Sequence, residues 1–144
     1  GHPTQACRDT PDQVARYRSR LSGPLLDRID LQIAVPALTH DEMLAAGAGE
    51  ASASIRARVE AARARMLARQ GKANALLAGK EIDAHCALDA TSETLLKQAI
   101  ARLNLSARAY HRALKLARSV ADLAGCERIA SAHIAEAIQY RRGV

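Results

Sequence analysis

A chain of 144 residues that is 49% hydrophobic but only 2% aromatic, with neither Phe nor Trp, has room for one domain, or for a small domain carrying an added arm. Its core must be built from Ala, Leu, Ile and Val, which favours helices packed through small side chains and makes the expected class all-α, a small helical bundle. The formal net charge of +6 admits an anionic partner (nucleic acid, nucleotide or membrane surface) without choosing among them, and with only three tyrosines there is no stacking platform, so any DNA contact falls on phosphate.

Residues 1–9 are polar and begin abruptly, as a piece of a longer protein would. Thr10 before Pro11 is a helix start, an N-cap hydroxyl followed by proline at the first helical position. It predicts a helix over Pro11–Leu21 with Val14, Tyr17 and Leu21 on one stripe. Ser22-Gly23-Pro24 ends that helix, and Leu25-Leu26-Asp27-Arg28 forms a turn. The next run, Ile29 to Val35, is apolar, closes on Pro36 and reads as a short buried strand. Such a strand belongs inside a sheet, yet the sequence offers no second convincing one. The expectation is therefore one orphan strand, with a sheet-containing domain upstream.

Residues 37–50 read as a connector, in which Thr39 caps a short helix running through Leu44 before Gly47 and Gly49 break it. Ser52–Gln70 predicts a long helix with Ile55, Val59, Ala62 and Met66 on its apolar stripe. Arg56, Arg58, Arg63, Arg65 and Arg69 flank that stripe. Gly71 ends this helix. Asn74–Leu88 links onward through short helical pieces, around Ala75–Leu77 and Glu81–Ala84. Three helices complete the chain. Ser92–Leu103, capped by Thr91, turns Leu95, Leu96, Ala99, Ile100 and Leu103 inward. Ser106–Ala124, capped by Ser106 and ended by Gly125, turns in Tyr110, Leu114, Ala117 and Ala121. Ser131–Arg142 turns in Ile134, Ala135 and Ile138, with cations in its last turn, where the dipole favours them. With the long basic helix these make the bundle, 51–144, preceded by the trailing segment 1–36.

Two arginines stand out chemically. Arg28 is a cation on a fixed turn between Asp27 and Asp30, and its rigid five-donor fork suits phosphate. The plainer reading is a salt bridge to one of those acids. Arg108 lies in the first turn of its helix, where a cation works against the dipole. Arg112 and Lys115 continue it as a basic stripe. The arginines of Ser52–Gln70 read either as a solvated face or as a surface for DNA or an acidic partner. No Gly-rich loop ending in Gly-Lys-Ser/Thr is present, no apolar strand ends in acids that would hold Mg²⁺, and no nucleophile–base or paired-carboxylate arrangement stands out. By itself the chain is not expected to be an ATPase. Cys7, Cys86 and Cys126 are widely separated and odd in number, and read as reduced cytosolic thiols. His85 beside Cys86 lacks partners at ligand spacing, so no metal site is expected. No apolar run reaches the length of a membrane span and no secretory leader is visible, so the expected location is cytoplasmic, without a membrane partner.

Ser22-Gly23-Pro24-Leu25-Leu26-Asp27-Arg28-Ile29-Asp30, and later Leu105-Ser106-Ala107-Arg108-Ala109-Tyr110-His111-Arg112, resemble two motifs of the Mg-chelatase-like AAA+ ATPases, in their order and closest to the ComM/YifB branch. The resemblance covers Cys7 to Arg142. It implies that 1–36 is the trailing segment of an AAA+ core and 51–144 its helical lid. Leu25-Leu26-Asp27-Arg28 matches the arginine-finger element, so Arg28 inherits the role of a finger reaching the ATP of a neighbouring subunit. Ser106-Ala107-Arg108 matches the sensor 2 element, so Arg108 inherits contact with nucleotide phosphates. The resemblance further implies ATP and Mg in the whole protein, an upstream core, neighbouring subunits in a ring expected to be hexameric, and DNA as a possible partner of a branch-migration motor in natural transformation. A Cys-x-Cys pair of the family is half met, since Cys7 fits but Asp9 replaces its second cysteine. Two alternatives remain: the magnesium chelatase ATPase subunit of tetrapyrrole metal insertion, and a stand-alone basic helical DNA-binding or adaptor module.

Overall fold

A computed structural model describes residues 9–26, 28–45, 47, 49–103 and 105–141. Within them the chain is helical: α1 (Pro11–Arg18), α2 (Gly23–Leu26), α3 (His40–Ala45), α4 (Ser52–Gln70), a 3-10 turn (Asn74–Leu76), α5 (Lys80–His85), α6 (Ala90–Arg102), α7 (Ala107–Leu123) and α8 (Ser131–Gln139). The all-α expectation holds, and the predicted bounds of α4 are met at both ends.

Helix α7 is the axis of the bundle. The Ser106 hydroxyl caps it by accepting from the Ala109 N–H at 3.2 Å. The chain leaves it through Gly125, whose φ of +74° is a left-handed turn that favours glycine. Ala109, Ala113, Leu114, Ala117 and Ala121 bury one face. Their small side chains let α8 approach, with Ile134, Ala137 and Ile138 buried against them, and α6 adds Leu96. Each fully buried Leu or Ile contributes about 1.5–3 kcal/mol. The inward faces read from the periodicity of α6 and α7 are the ones found. In α8 the third inward residue is Ala137, and Ala135 is exposed. The cap of α6 is Asp89, whose carboxylate accepts from the Ser92 N–H at 2.7 Å, two residues earlier than the Thr91 expected.

Helices α4 and α7 run antiparallel. From Arg65 to Leu77 the chain finds partners on α7 that run back from Asp122 to Lys115. Because α7 ends at Leu123, the earlier turns of α4 extend past the bundle. Residues 52–61 are all exposed, Ile55 and Val59 included, and Ala62 is the only buried residue described on α4. That overhang is about 15 Å long at 1.5 Å per residue.

The trailing segment departs from expectation. Ile29–Val35 forms no strand: every residue of it but Gln32 is exposed, and no sheet exists among the described residues. The reason lies in the sequence itself, which provides no second strand to supply the ladder bonds. The stripe of α1 is likewise unseated, with Tyr17 70% exposed. Helix α3 begins at the predicted cap, where the Thr39 N–H donates to Glu42 Oε2 at 2.8 Å and the Thr39 hydroxyl accepts from the Glu42 N–H at 3.3 Å.

Candidate functional site

The turn that presents Arg28 is built by Ser22. Its carbonyl accepts from the Leu25 and Leu26 N–H groups at 3.0 and 3.1 Å, which forms the single turn α2, and the Arg28 N–H then donates to the Leu25 carbonyl at 3.0 Å. Arg28 is exposed, and its guanidinium has no hydrogen-bond or ion-pair partner among the described residues. Asp27 lies outside the described residues. Asp30, the other acid offered as a salt-bridge partner, pairs with Arg112 of α7 instead. One guanidinium nitrogen of Arg112 also donates to the Arg28 carbonyl at 2.8 Å. From α8 and its C-terminal turn come two more ties: Arg141 donates to the Ile29 carbonyl at 3.1 Å, and the Tyr140 carbonyl accepts from the Gln32 N–H at 2.8 Å. The segment that lacks a sheet is thus bound to the bundle by polar contacts.

Arg108 stands one turn before Arg112 on α7, exposed and without a partner among the described residues. The basic stripe therefore divides. Arg112 holds the Arg28 turn, and Lys115 donates to the Ala75 carbonyl at 3.0 Å and lies 3.4 Å from that of Leu77. Arg108 remains available. A cavity of about 220 Å³ lies beside this junction, lined by Asp30, Ala75, Arg112, Lys115, Leu116 and Ser119. Both Arg28 and Arg108 are exposed, and among the described residues no group of three His, Cys, Asp or Glu side chains is placed to hold a metal ion.

The arginines of α4 do different work along its length. Arg56 and Arg63 are exposed and have no partner among the described residues, while Arg58 pairs with Glu50 across the helix start. Arg65 donates to the Asp122 carbonyl at 3.0 Å. Arg69 grips the Asp122 carboxylate with both ends of its fork, at 2.6 and 2.8 Å. Asp122 is fully buried. It also receives Asn74 at 2.8 Å and Arg118, itself 2% exposed, at 3.1 Å. Burial alone would push the Asp122 carboxyl up, but the hydrogen bonds from Arg69 and Asn74 and the charges of Arg118 and Arg69 outweigh it and hold the group below its ordinary range. Arg118 donates onward to the Glu127 and Cys126 carbonyls at 2.7 and 2.6 Å. This network joins α4, the 3-10 turn, α7 and the loop after it. It was not anticipated from the sequence, although Arg118 and Asp122 at i,i+4 among alanines and valines carried a trace of it. Burial pushes the Cys86 thiol up to about 11, so it packs as an uncharged core residue. Cys7 lies outside the described residues.

Residues 49–141 match the family described as magnesium chelatase, subunit ChlI C-terminal, and residues 1–43 match magnesium chelatase, subunit ChlI. The chain is 46% identical over 135 residues to competence protein ComM of Haemophilus influenzae, an overlap of 93% of this chain and 26% of that protein. It is 43% identical over 136 residues to YifB of Salmonella typhimurium and to YifB of Escherichia coli, in each case over 93% of this chain and 27% of the relative. The chain thus spans about a quarter of the length of the curated relatives it matches. No helix among the described residues is long and apolar enough to cross a membrane.

Proposed function

This chain belongs to the magnesium chelatase ChlI C-terminal family, among relatives that include ComM and YifB, and on that premise we propose that it is the lid and arginine-finger segment of an ATP-driven AAA+ motor. The observation that carries the reading is the pair of exposed guanidiniums without partners among the described residues, Arg28 on its turn and Arg108 at the head of α7, joined through Arg112. A free arginine fork is a strong phosphate ligand, and one placed at the edge of a subunit stabilises charge on a phosphoryl group in transfer, an effect of about 10³–10⁵ in rate. In this reading Arg28 acts on the ATP of a neighbouring subunit in a ring, expected to be a hexamer, and Arg108 contacts nucleotide phosphates from the lid. ATP and Mg²⁺ are held mainly by the upstream core, because this chain has no Gly-Lys-Ser/Thr loop. The exposed apolar run Ile29–Val35 is the natural edge for that core to cover, and residues 1–36, 37–50 and 51–144 divide as core edge, connector and lid.

The identity to ComM and YifB and the excess of positive charge favour a motor working on DNA in the cytosol over metal insertion into a porphyrin. Arg56, on the overhanging part of α4, and the exposed Arg63 just after it are the candidate DNA-facing cations. Of the five arginines of α4, Arg58, Arg65 and Arg69 are engaged within the chain.

The test is made in the whole protein. Arg28→Ala is expected to spare ATP binding and remove most hydrolysis, because a finger acts on charge that appears in the transition state. Arg108→Ala is expected to weaken both, because a phosphate contact present in the ground state contributes to binding as well. DNA stimulation of the ATPase supports the motor reading. Stimulation by a porphyrin and its metal, with none by DNA, supports the chelatase alternative.

A further inference from the structure

We propose that Arg112 is a positioning residue that fixes the Arg28 turn to the helix carrying Arg108, so that one joint sets the placement of both arginines. The inference rests on the reading of Arg28 and Arg108 given above. Residues 28–32 have no ladder and no buried side chain to define their path. Their shape is set by the four ties to α7, α8 and the turn after it: Arg112 to the Arg28 carbonyl at 2.8 Å, Arg112 to the Asp30 carboxylate, Arg141 to the Ile29 carbonyl at 3.1 Å, and the Gln32 N–H to the Tyr140 carbonyl at 2.8 Å. Arg112 makes two of these, and of the four only its bond to the carbonyl reaches the backbone of Arg28 itself.

The Arg112 side chain is 26% exposed and that of Asp30 is 55% exposed. An ion pair so open to solvent contributes little to overall stability, so geometry is the larger consequence. Both bonds leave from one nitrogen of the guanidinium fork, and the fork's rigid plane aims that nitrogen in a way an ammonium on a flexible stem reproduces only in part. Without that fork the Arg28 turn is released from α7 on one side. The reacting phosphate would then meet a finger whose position fluctuates, and displacement of a catalytic group by about 1 Å costs on the order of 10²-fold in rate.

The experiment is a double-mutant cycle in the whole protein, with kcat and KM for ATP read separately. Arg112→Ala is expected to lower kcat by about 10²-fold with KM little changed, and Arg112→Lys to recover only part of the loss. Asp30→Asn, on an exposed segment where misfolding is not at issue, is expected to give a smaller loss of the same kind. The double variant Arg28→Ala, Arg112→Ala is expected to fall no further than Arg28→Ala alone, because Arg112 acts through Arg28. Losses that multiply, or an Arg112→Ala enzyme that keeps its kcat while Arg28→Ala loses it, overturn the joint and leave the reading of Arg28 standing. Full turnover by Arg28→Ala overturns that reading and the joint with it.

Discussion

Asp122 is the residue on which the bundle's interior electrostatics turn. One carboxylate, fully buried, faces Arg69, Arg118 and the Asn74 amide, and its own carbonyl faces Arg65. Removing it would leave two guanidiniums in a protein interior without a counter-charge. Breaking a buried pair from one side costs about 3–5 kcal/mol, so Asp122→Ala is expected to unfold the chain or to lower its denaturant midpoint steeply. Replacing Arg63, which has no partner among the described residues, should change it little. The same carboxylate gives a pH signature. Its folded pKa lies below the ordinary value of 3.8, so its contribution is complete above that value and is lost as pH falls below it through the folded pKa. Stability measured from pH 6 down to pH 2 should therefore fall most steeply at the acid end, and a milder Asp122→Asn chain should show a flatter slope there. An unchanged slope in that variant would assign the acid sensitivity to other groups. None of this could be read from spacing. An arginine followed four residues later by an aspartate is ordinary on a solvated helix face, and only the antiparallel seating of α4 turns that face inward.

Among the elements, those that were legible are the ones whose local signals agree with their tertiary setting. α4 begins after the connector and stops at Gly71, which adopts φ +72°, and α7 carries a hydroxyl cap, an alanine-rich face and a terminal glycine. Ile29–Val35 was misread for a physical reason: apolar alternation states what a segment would do with a partner, and a strand exists only where another backbone completes its ladder. Ile55 and Val59 show a related limit of periodicity. Their 3.6-residue spacing marks a face, but α7 is too short to cover it. The overhang they sit on offers Arg56 to solvent, the next turn offers Arg63, and a prediction belongs to this stretch. DNA binding by the whole protein should weaken with added salt, as contacts to phosphate do. Reversing the charge of Arg56 and Arg63 should lower that affinity, and the steepness of its salt dependence, more than reversing the exposed Arg102 and Arg128. Equal losses from the two pairs would mean that net charge alone is felt.

At the scale of the whole molecule, the helical bundle is self-contained around α7, whereas residues 9–45 expose their apolar side chains, from Tyr17 and Leu21 through Leu44. The two family matches fall along the same division, 1–43 and 49–141. Under the proposed function, the N-terminal part is an edge that works on the next subunit and the bundle is the lid. Legibility of the candidate site followed the same line. Arg28 and Arg108 could be singled out because their motifs are local, while the Arg112 joint, between residues 82 and 84 apart in the chain, required the fold. The most direct measurement mixes two inactive forms of the whole protein, one carrying Arg28→Ala and the other lacking the lysine of its phosphate loop, and follows ATP hydrolysis as their ratio varies. If Arg28 serves the neighbour's nucleotide, some interfaces in mixed rings pair an intact finger with an intact loop, and activity returns at intermediate ratios. Confirmed mixed rings that stay inactive at every ratio would contradict the assignment of Arg28 across the subunit boundary.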